Sequence, residues 1–571
     1  MPTRSSSAIL FLVLVTGTVS LANAQQPPLR QGQSPGPRFV MSALKGEGDG
    51  PRLGFQVANA VRERIASDFD MRALWVVPES TITAYLISAG YPADQPLSKE
   101  ETRQLASSFR AEEVLAGVVS KTPTGGYRVQ ASWGLTGRDD MMQPLPAVEA
   151  SKISDVAKLV AREFQLARKQ VESVQRCMSL ARSRNYTAAL VEARKAIDAY
   201  PRSVLGRICI ANIYDQEKLD PDSVLRISEE ILGIHAENAR ALAFAADAYG
   251  AKKMVDDQIR MLDRLVQVEP LNRRARTVLT NLRASRGELD RAKALVDTLV
   301  AQEPDSAALA LQWRVYRAAK EWARVVEIGE RRLDVDSSAG TPDFFVSMIA
   351  AADAADDAPK ALDLATRAVG RFPNNDTLVV IRVQYLRRNG QLRQALAVVN
   401  ALLARNPRAP NAWTQKARIE FELALGADTV LASLGSGLTN GEDRATVAAL
   451  ARALGQTVAG DSTSPNKLIP LRTGIRYFKL ADSAQPGDTT SFWLGRTSVV
   501  LASRLANEPA AAKTCELAKE LQNALVDAQI HLPRAGRSFP VQVPPLMGAV
   551  TKLSPYSDDL TKAVCRKGGE D

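Results

Sequence analysis

Aromatic side chains make up only 5% of the 571 residues, and the chain carries just two histidines, His235 and His531. So few aromatics suit closely packed, alanine-rich helices better than a β-sandwich. So few histidines remove most routes to a Ser-His-Asp or Cys-His hydrolase. His235 falls where a helical unit ends and His531 at the end of a late helix, and both read as helix-terminal residues. No Gly-x-Ser-x-Gly elbow, His-Glu-x-x-His helix or Gly-x-x-x-x-Gly-Lys loop is present. The four cysteines form no Cys-x-x-Cys and no Cys/His cluster, so neither a metal nor a cofactor is expected. Lys/Arg blocks interleaved with aromatics are also missing. The formal net charge of +10 therefore reads as a solvated surface with a mild preference for acidic partners, not as a nucleic-acid footprint.

Long apolar runs are missing too, apart from the start of the chain. There Arg4 precedes a mostly apolar Ala8 to Val19, and Ala22-Asn23-Ala24 is a small-x-small cleavage site before Gln25. Residues 1–24 are expected to be a signal peptide cut between Ala24 and Gln25, with no stable membrane insertion afterwards. Localisation is then periplasmic or secreted, in a bacterial setting. Residues 25–37, rich in Pro, Gly and Gln, are a flexible leader. Export favours disulfides. Cys177 and Cys209 stand 32 residues apart at near-equivalent places on the first helices of consecutive repeats, so these two are paired, leaving Cys515 with Cys565.

What the chain does have is a ladder. Prolines at 201, 270, 304, 373 and 407 are separated by 69, 34, 69 and 34 residues, and look-alike segments around Ala236 and Ser338 fill the two missing rungs. A fixed period near 34 residues with a helix stop at its end predicts stacked helix–turn–helix units. Ala246, Ala292, Ala361 and Ala395 fall where paired helices must touch, while Gln258 and Arg283 break the expected small and aromatic positions. These features resemble the tetratricopeptide repeat (TPR) family over 166–440. Residues 441–571 read as degenerate helical repeats and a C-terminal cap, with helices over 468–482, 491–505 and 509–532. Ser538 to Pro545 looks too proline-rich for a helix and is expected to strap across the last repeat.

Between leader and repeats, residues 38–165 alternate strand and helix patterns in the order β-α-β-α-β-β-α. Ser98 with Glu101 forms a capping box, and Thr122 to Gly126 is a hairpin turn. The run from Glu101 to Ser120 and then Gly125 to Trp133 resembles the amino-terminal domain of TolB-like proteins. The resemblance implies a non-catalytic extracytoplasmic docking domain. The expected fold is thus α-rich, a TPR-like α-solenoid preceded by a small α/β domain.

Two further features are weighed for chemistry. Gly46-Glu47-Gly48-Asp49-Gly50 reads as a plain loop, because its carboxylates repel phosphate. The adjacent carboxylates Glu112-Glu113, Asp139-Asp140 and Asp256-Asp257 diverge and read as solvated faces. What remains is the groove lined by the first helix of each repeat. Counting along the units puts Arg240, Arg274, Asn281, Gln384 and Arg387 on it as peptide-binding candidates. The expectation is a non-enzymatic exported scaffold that binds other envelope proteins. The alternative is a periplasmic sensor or carrier for an anionic small molecule or cell-wall fragment, and a third reading is self-association through uncapped repeats.

Overall fold

The computed structural model describes residues 36–48, 51–135, 141–217, 220–461, 466–509 and 513–565. The expected signal peptide, its cleavage site, most of the leader and the Asp139-Asp140 pair lie outside the described residues. The chain forms two compact units, one up to Leu295 and one from Val296.

The first unit opens with a sheet. Its strands are β1 (Arg38–Met41), β2 (Lys45–Glu47), β3 (Trp75–Val76), β4 (Glu113–Lys121), β5 (Tyr127–Leu135), β6 (Met142–Pro144) and β7 (Val148–Ala150). The order is β3-β1-β4-β5-β6, with β2 beside β4 and β7 beside β5. Strands β3, β1 and β4 run parallel, and β4 and β5 form the antiparallel hairpin. Side chains alternate across a strand, so β1 serves two cores. Phe39 and Met41 pack with helices α1 (Pro51–Asp68) and α4 (Ile153–Arg168), while Val40 packs with α2 (Glu79–Ser88) and α3 (Lys99–Ser108). Helix α3 begins at the anticipated box: Ser98 Oγ accepts from Glu101 N, and Glu101 Oε2 accepts from Ser98 N. Two expectations are corrected here. The glycine run does not begin as a loop, since Lys45–Glu47 pairs with Val118, Val119 and Ser120. Helix α2, which no periodicity announced, follows β3.

Helix pairs then begin. In the first unit the leading helices are Val171–Arg182, Val204–Gln216, Ala239–Ala251 and Arg273–Ser285. In the second they are Ser306–Ala318, Pro342–Ala354, Asp376–Arg388, Ala412–Glu422 and Arg444–Ala459. Successive starts recur at about 34 residues, the spacing of helix–turn–helix repeats. The result is a TPR-like α-solenoid preceded by a small sheet region. Pro201, Pro270, Pro304, Pro373 and Pro407 all lie in the turns between units, where a missing N–H costs nothing. Six of the turns end on a capping side chain: Ser203, Asn238, Asn272, Asp305, Thr341 and Asn375 each accept from the amide three residues on. Ala246, Ala292, Ala361 and Ala395 are all buried.

The two irregular positions are compensated. Gln258 reaches the place where a Cβ on Gly250 would stand, so the glycine admits the larger side chain. Arg283 is buried but paired with both oxygens of Asp263, at 2.7 and 2.6 Å, and with Glu288.

The C-terminal reading needs three corrections. The penultimate helix is Cys515–Ala535, so Pro509 does not occupy its first turn. The proline-rich tail is not a strap, because Val543–Cys565 is a helix with Pro544 and Pro545 in its first turn, where no backbone donor is needed. His531 is not terminal either. It is buried inside Cys515–Ala535, and its Nδ1 lies 4.0 Å from Asp482. Burial lowers its pKa, with Asp482 and Asp527 opposing and Arg534 and Lys479 assisting. The folded unit therefore resists protonation that the unfolded chain accepts, and stability falls as pH drops through the unfolded value near ~6.5. Denaturation midpoints at pH 7.5 and 5.5 should differ less in His531→Gln than in the wild type.

Candidate functional site

A buried polar cluster ties the sheet to the junction of the first two repeats. Gln143 on β6 donates to the Arg202 carbonyl at 2.9 Å and accepts from Val204 N at 2.8 Å. Gln170, between α4 and the first repeat helix, accepts from Ser203 Oγ at 2.5 Å. Ser203 in turn caps its own helix through Gly206 N. All three side chains are buried. This cluster fixes how the sheet presents itself to the repeats, and isolated glutamines in the sequence gave no sign of it. Glu113 corrects a second expectation. It is not a solvated carboxylate but is 1% exposed. Arg168 at the end of α4 grips both its oxygens at 2.8–3.0 Å, and Trp133 Nε1 donates to it at 3.0 Å.

Three of the five groove candidates lie in the first unit. Arg240 donates to Asn212 Oδ1 at 2.7 Å, and Arg274 pairs with Asp247 at 2.9 Å, each reaching the leading helix one repeat earlier. Asn281 donates to the Thr277 carbonyl of its own helix. Asp247 sits between Arg274 and Asp215. Burial raises its pKa, Arg274 opposes that, and Asp215 adds to it. This face is therefore a ladder of satisfied polar groups linking successive repeats.

The second unit holds Gln384 and Arg387, together with an open cleft of about 290 Å³. Three consecutive leading helices build it. Asp376–Arg388 contributes Thr377, Val380, Ile381 and Gln384, Ala412–Glu422 contributes Thr414, Gln415 and Arg418, and Arg444–Ala459 contributes Thr446. Pro410 and Asn411 close one end. Arg387 does not line the cleft. It pairs with Glu422 at 2.5 Å.

That pairing leaves Arg418, which the groove count did not include, without a hydrogen bond or ion pair among the described residues. Burial lowers its pKa first and neighbouring Arg387 second, with Glu422 opposing. Gln415 Oε1 beside it is buried and accepts no hydrogen bond. The cleft therefore joins an apolar shelf, Val380, Ile381 and Pro410, to one unneutralised cation and one unused acceptor. An unused buried acceptor costs about 1–3 kcal/mol unless a ligand or water satisfies it.

The cleft keeps its shape through an unusual cap. Asn411 has φ 62°, and its side chain makes no capping hydrogen bond to its own helix. Glu442 takes over the role, accepting from Trp413 N at 2.6 Å and from Thr414 N at 3.1 Å.

Residues 376–419 match the tetratricopeptide repeat family. The matched stretch covers two of the three cleft helices. No curated protein matches the chain. Among solved structures, the Naa15/Naa10 complex bound to HypK-THB aligns at 12% identity and TM-score 0.39, over 68% of this chain and 63% of that one. The chain thus spans less than two thirds of that relative's length. YrrB, a TPR protein with an unusual peptide-binding site, aligns at 16% identity and TM-score 0.28, over 33% of this chain and 94% of that one. A tetratricopeptide repeat protein from Parabacteroides merdae aligns at 12% identity and TM-score 0.27, over 42% and 93%. Among the described residues no helix is long and apolar enough to cross a membrane, and no cluster of three or more His, Cys, Asp or Glu is placed to hold a metal.

Proposed function

We propose that this chain is a non-enzymatic exported scaffold that recruits other envelope proteins by holding extended, acidic peptide segments in the cleft between Gln384 and Arg418. The observation that carries the reading is the unpaired Arg418 beside the unused Gln415 acceptor, next to an apolar shelf. An extended segment would place a carboxylate at Arg418, a backbone N–H at Gln415 and an apolar side chain against Val380 and Ile381. The sheet region, by its resemblance to TolB amino-terminal domains, would supply a second docking surface. Export is supported by the apolar start with its Ala22-Asn23-Ala24 site and by two cysteine pairs at disulfide distance, a bond that persists in oxidising compartments. The carrier reading rested on the basic excess and on groove arginines, of which Arg240, Arg274 and Arg387 are engaged with Asn212, Asp247 and Glu422.

Display of a random peptide library against the mature chain tests the proposal. Enriched sequences should carry Asp or Glu next to an apolar residue. Arg418→Glu should weaken them roughly tenfold to a hundredfold, the worth of a hydrogen bond to a charged group. No enrichment, or enrichment indifferent to Arg418→Glu, would count against it.

A further inference from the structure

The two disulfides stand in opposite environments. Cys177 and Cys209 are both 0% exposed, inside the core shared by the sheet and the first repeats. Cys515 and Cys565 are only half-buried. The second bond also holds a thinly anchored element. Over its 23 residues the terminal helix Val543–Cys565 buries only Val543, Val550 and Ser557. Pro555 inside it removes one intrahelical hydrogen bond. Beyond that proline the contacts are those of half-buried Leu560 and of Tyr556, whose hydroxyl donates to the Ala506 carbonyl at 3.3 Å and whose ring faces the Lys513 ammonium at 5.4 Å. The Ser557 hydroxyl is buried with no hydrogen-bond partner among the described residues. The segment 556–565 therefore depends on its covalent tie more than on apolar contact.

We propose that Cys515–Cys565 is a redox latch that decides whether the end of the terminal helix stays on the last repeat. A dithiol reductant attacks the accessible sulfur as thiolate. The Cys515–Cys565 bond breaks, the second reductant thiol closes the reductant's own disulfide, and the two protons and two electrons end on Cys515 and Cys565 as thiols. Exchange requires access for the attacking thiolate, which the half-buried pair grants and the fully buried pair denies. Once the tie is cut, segment 556–565 opens locally while the rest of the unit stays folded. Leu560 then leaves the cluster that includes Leu505 and Leu521, and part of the apolar end of the solenoid is uncovered.

Timed reduction of the full mature chain with dithiothreitol, followed by alkylation and peptide mass spectrometry, tests the latch. Cys515 and Cys565 should label at least tenfold faster than Cys177 and Cys209. Hydrogen exchange should then rise over 556–565 and stay unchanged over 171–216, and Cys565→Ser should reproduce that pattern without reductant. Equal labelling of both pairs would overturn the proposal. So would reduction of Cys515–Cys565 with no change in exchange over 556–565.

Discussion

Arg168→Ala is expected to cost the first unit about 3–5 kcal/mol, the usual penalty for leaving one member of a buried ion pair alone. The Arg168 side chain is 15% exposed and that of Glu113 2%, so water screens the pair little. Removing the guanidinium strands the Glu113 carboxylate with a single remaining side-chain donor, the Trp133 indole. It also frees the Ala73 carbonyl that Arg168 Nη2 holds at 3.1 Å, loosening α4 from the loop before β3. Urea denaturation followed by tryptophan fluorescence reads this directly, since Trp133 is one reporter. The double variant Glu113→Gln with Arg168→Met should regain most of the loss, because it leaves no buried charge and keeps an acceptor for the indole. A loss below ~1 kcal/mol for Arg168→Ala would place the pair among surface bridges, which contribute little.

The second large effect concerns the buried disulfide. Cys177→Ala with Cys209→Ala opens a cross-link over 32 residues of sequence. The loop-closure entropy returned to the unfolded chain is worth about 4 kcal/mol. Both cysteines are 0% exposed in the core that also holds Val174, Val204 and Ile208, so small cavities add to the cost. Thermal or denaturant unfolding of the double variant should show a loss of that size in the first unit. The second unit should be unaffected. A double variant as stable as the parent would mean that the solenoid core alone sets the unfolded reference.

What could be read from the sequence, and what could not, divides by the range of the interactions. The repeat architecture was legible because it is local. Prolines at 201, 270, 304, 373 and 407, look-alike segments around Ala236 and Ser338, and alanines such as Ala361 and Ala395 at the contact recur at a fixed spacing. Strand patterns over 39–44 and 127–135 were legible for the same reason, although the first strand ends at Met41. A recurring turn was there to be found as well. The residue between paired helices is left-handed in seven of the described turns: Arg184, Lys253, Lys320, Asp356 and Ala424, with Gly287 and Gly390 the two members that give the conformation away. The proline-rich tail misled because proline breaks a helix interior yet suits a first turn, and only the following residues decide which applies.

The functional face depended on partners distant in sequence. A count along the helix placed Gln384 in the cleft but gave it Arg387, which Glu422 neutralises from the next repeat. Arg418 went unmarked because its being unpaired is a property of three helices together. Glu113 read as solvated because its partner Arg168 stands 55 residues away. Glu442 capping a helix 28 residues upstream has no signature of its own.

Hydrogen exchange with and without a peptide selected on the mature chain tests the central claim most directly. The account predicts protection confined to the leading helices 376–388 and 412–422 and the first turn of 444–459, abolished by Arg418→Glu. Protection elsewhere, or protection that survives Arg418→Glu, would contradict it.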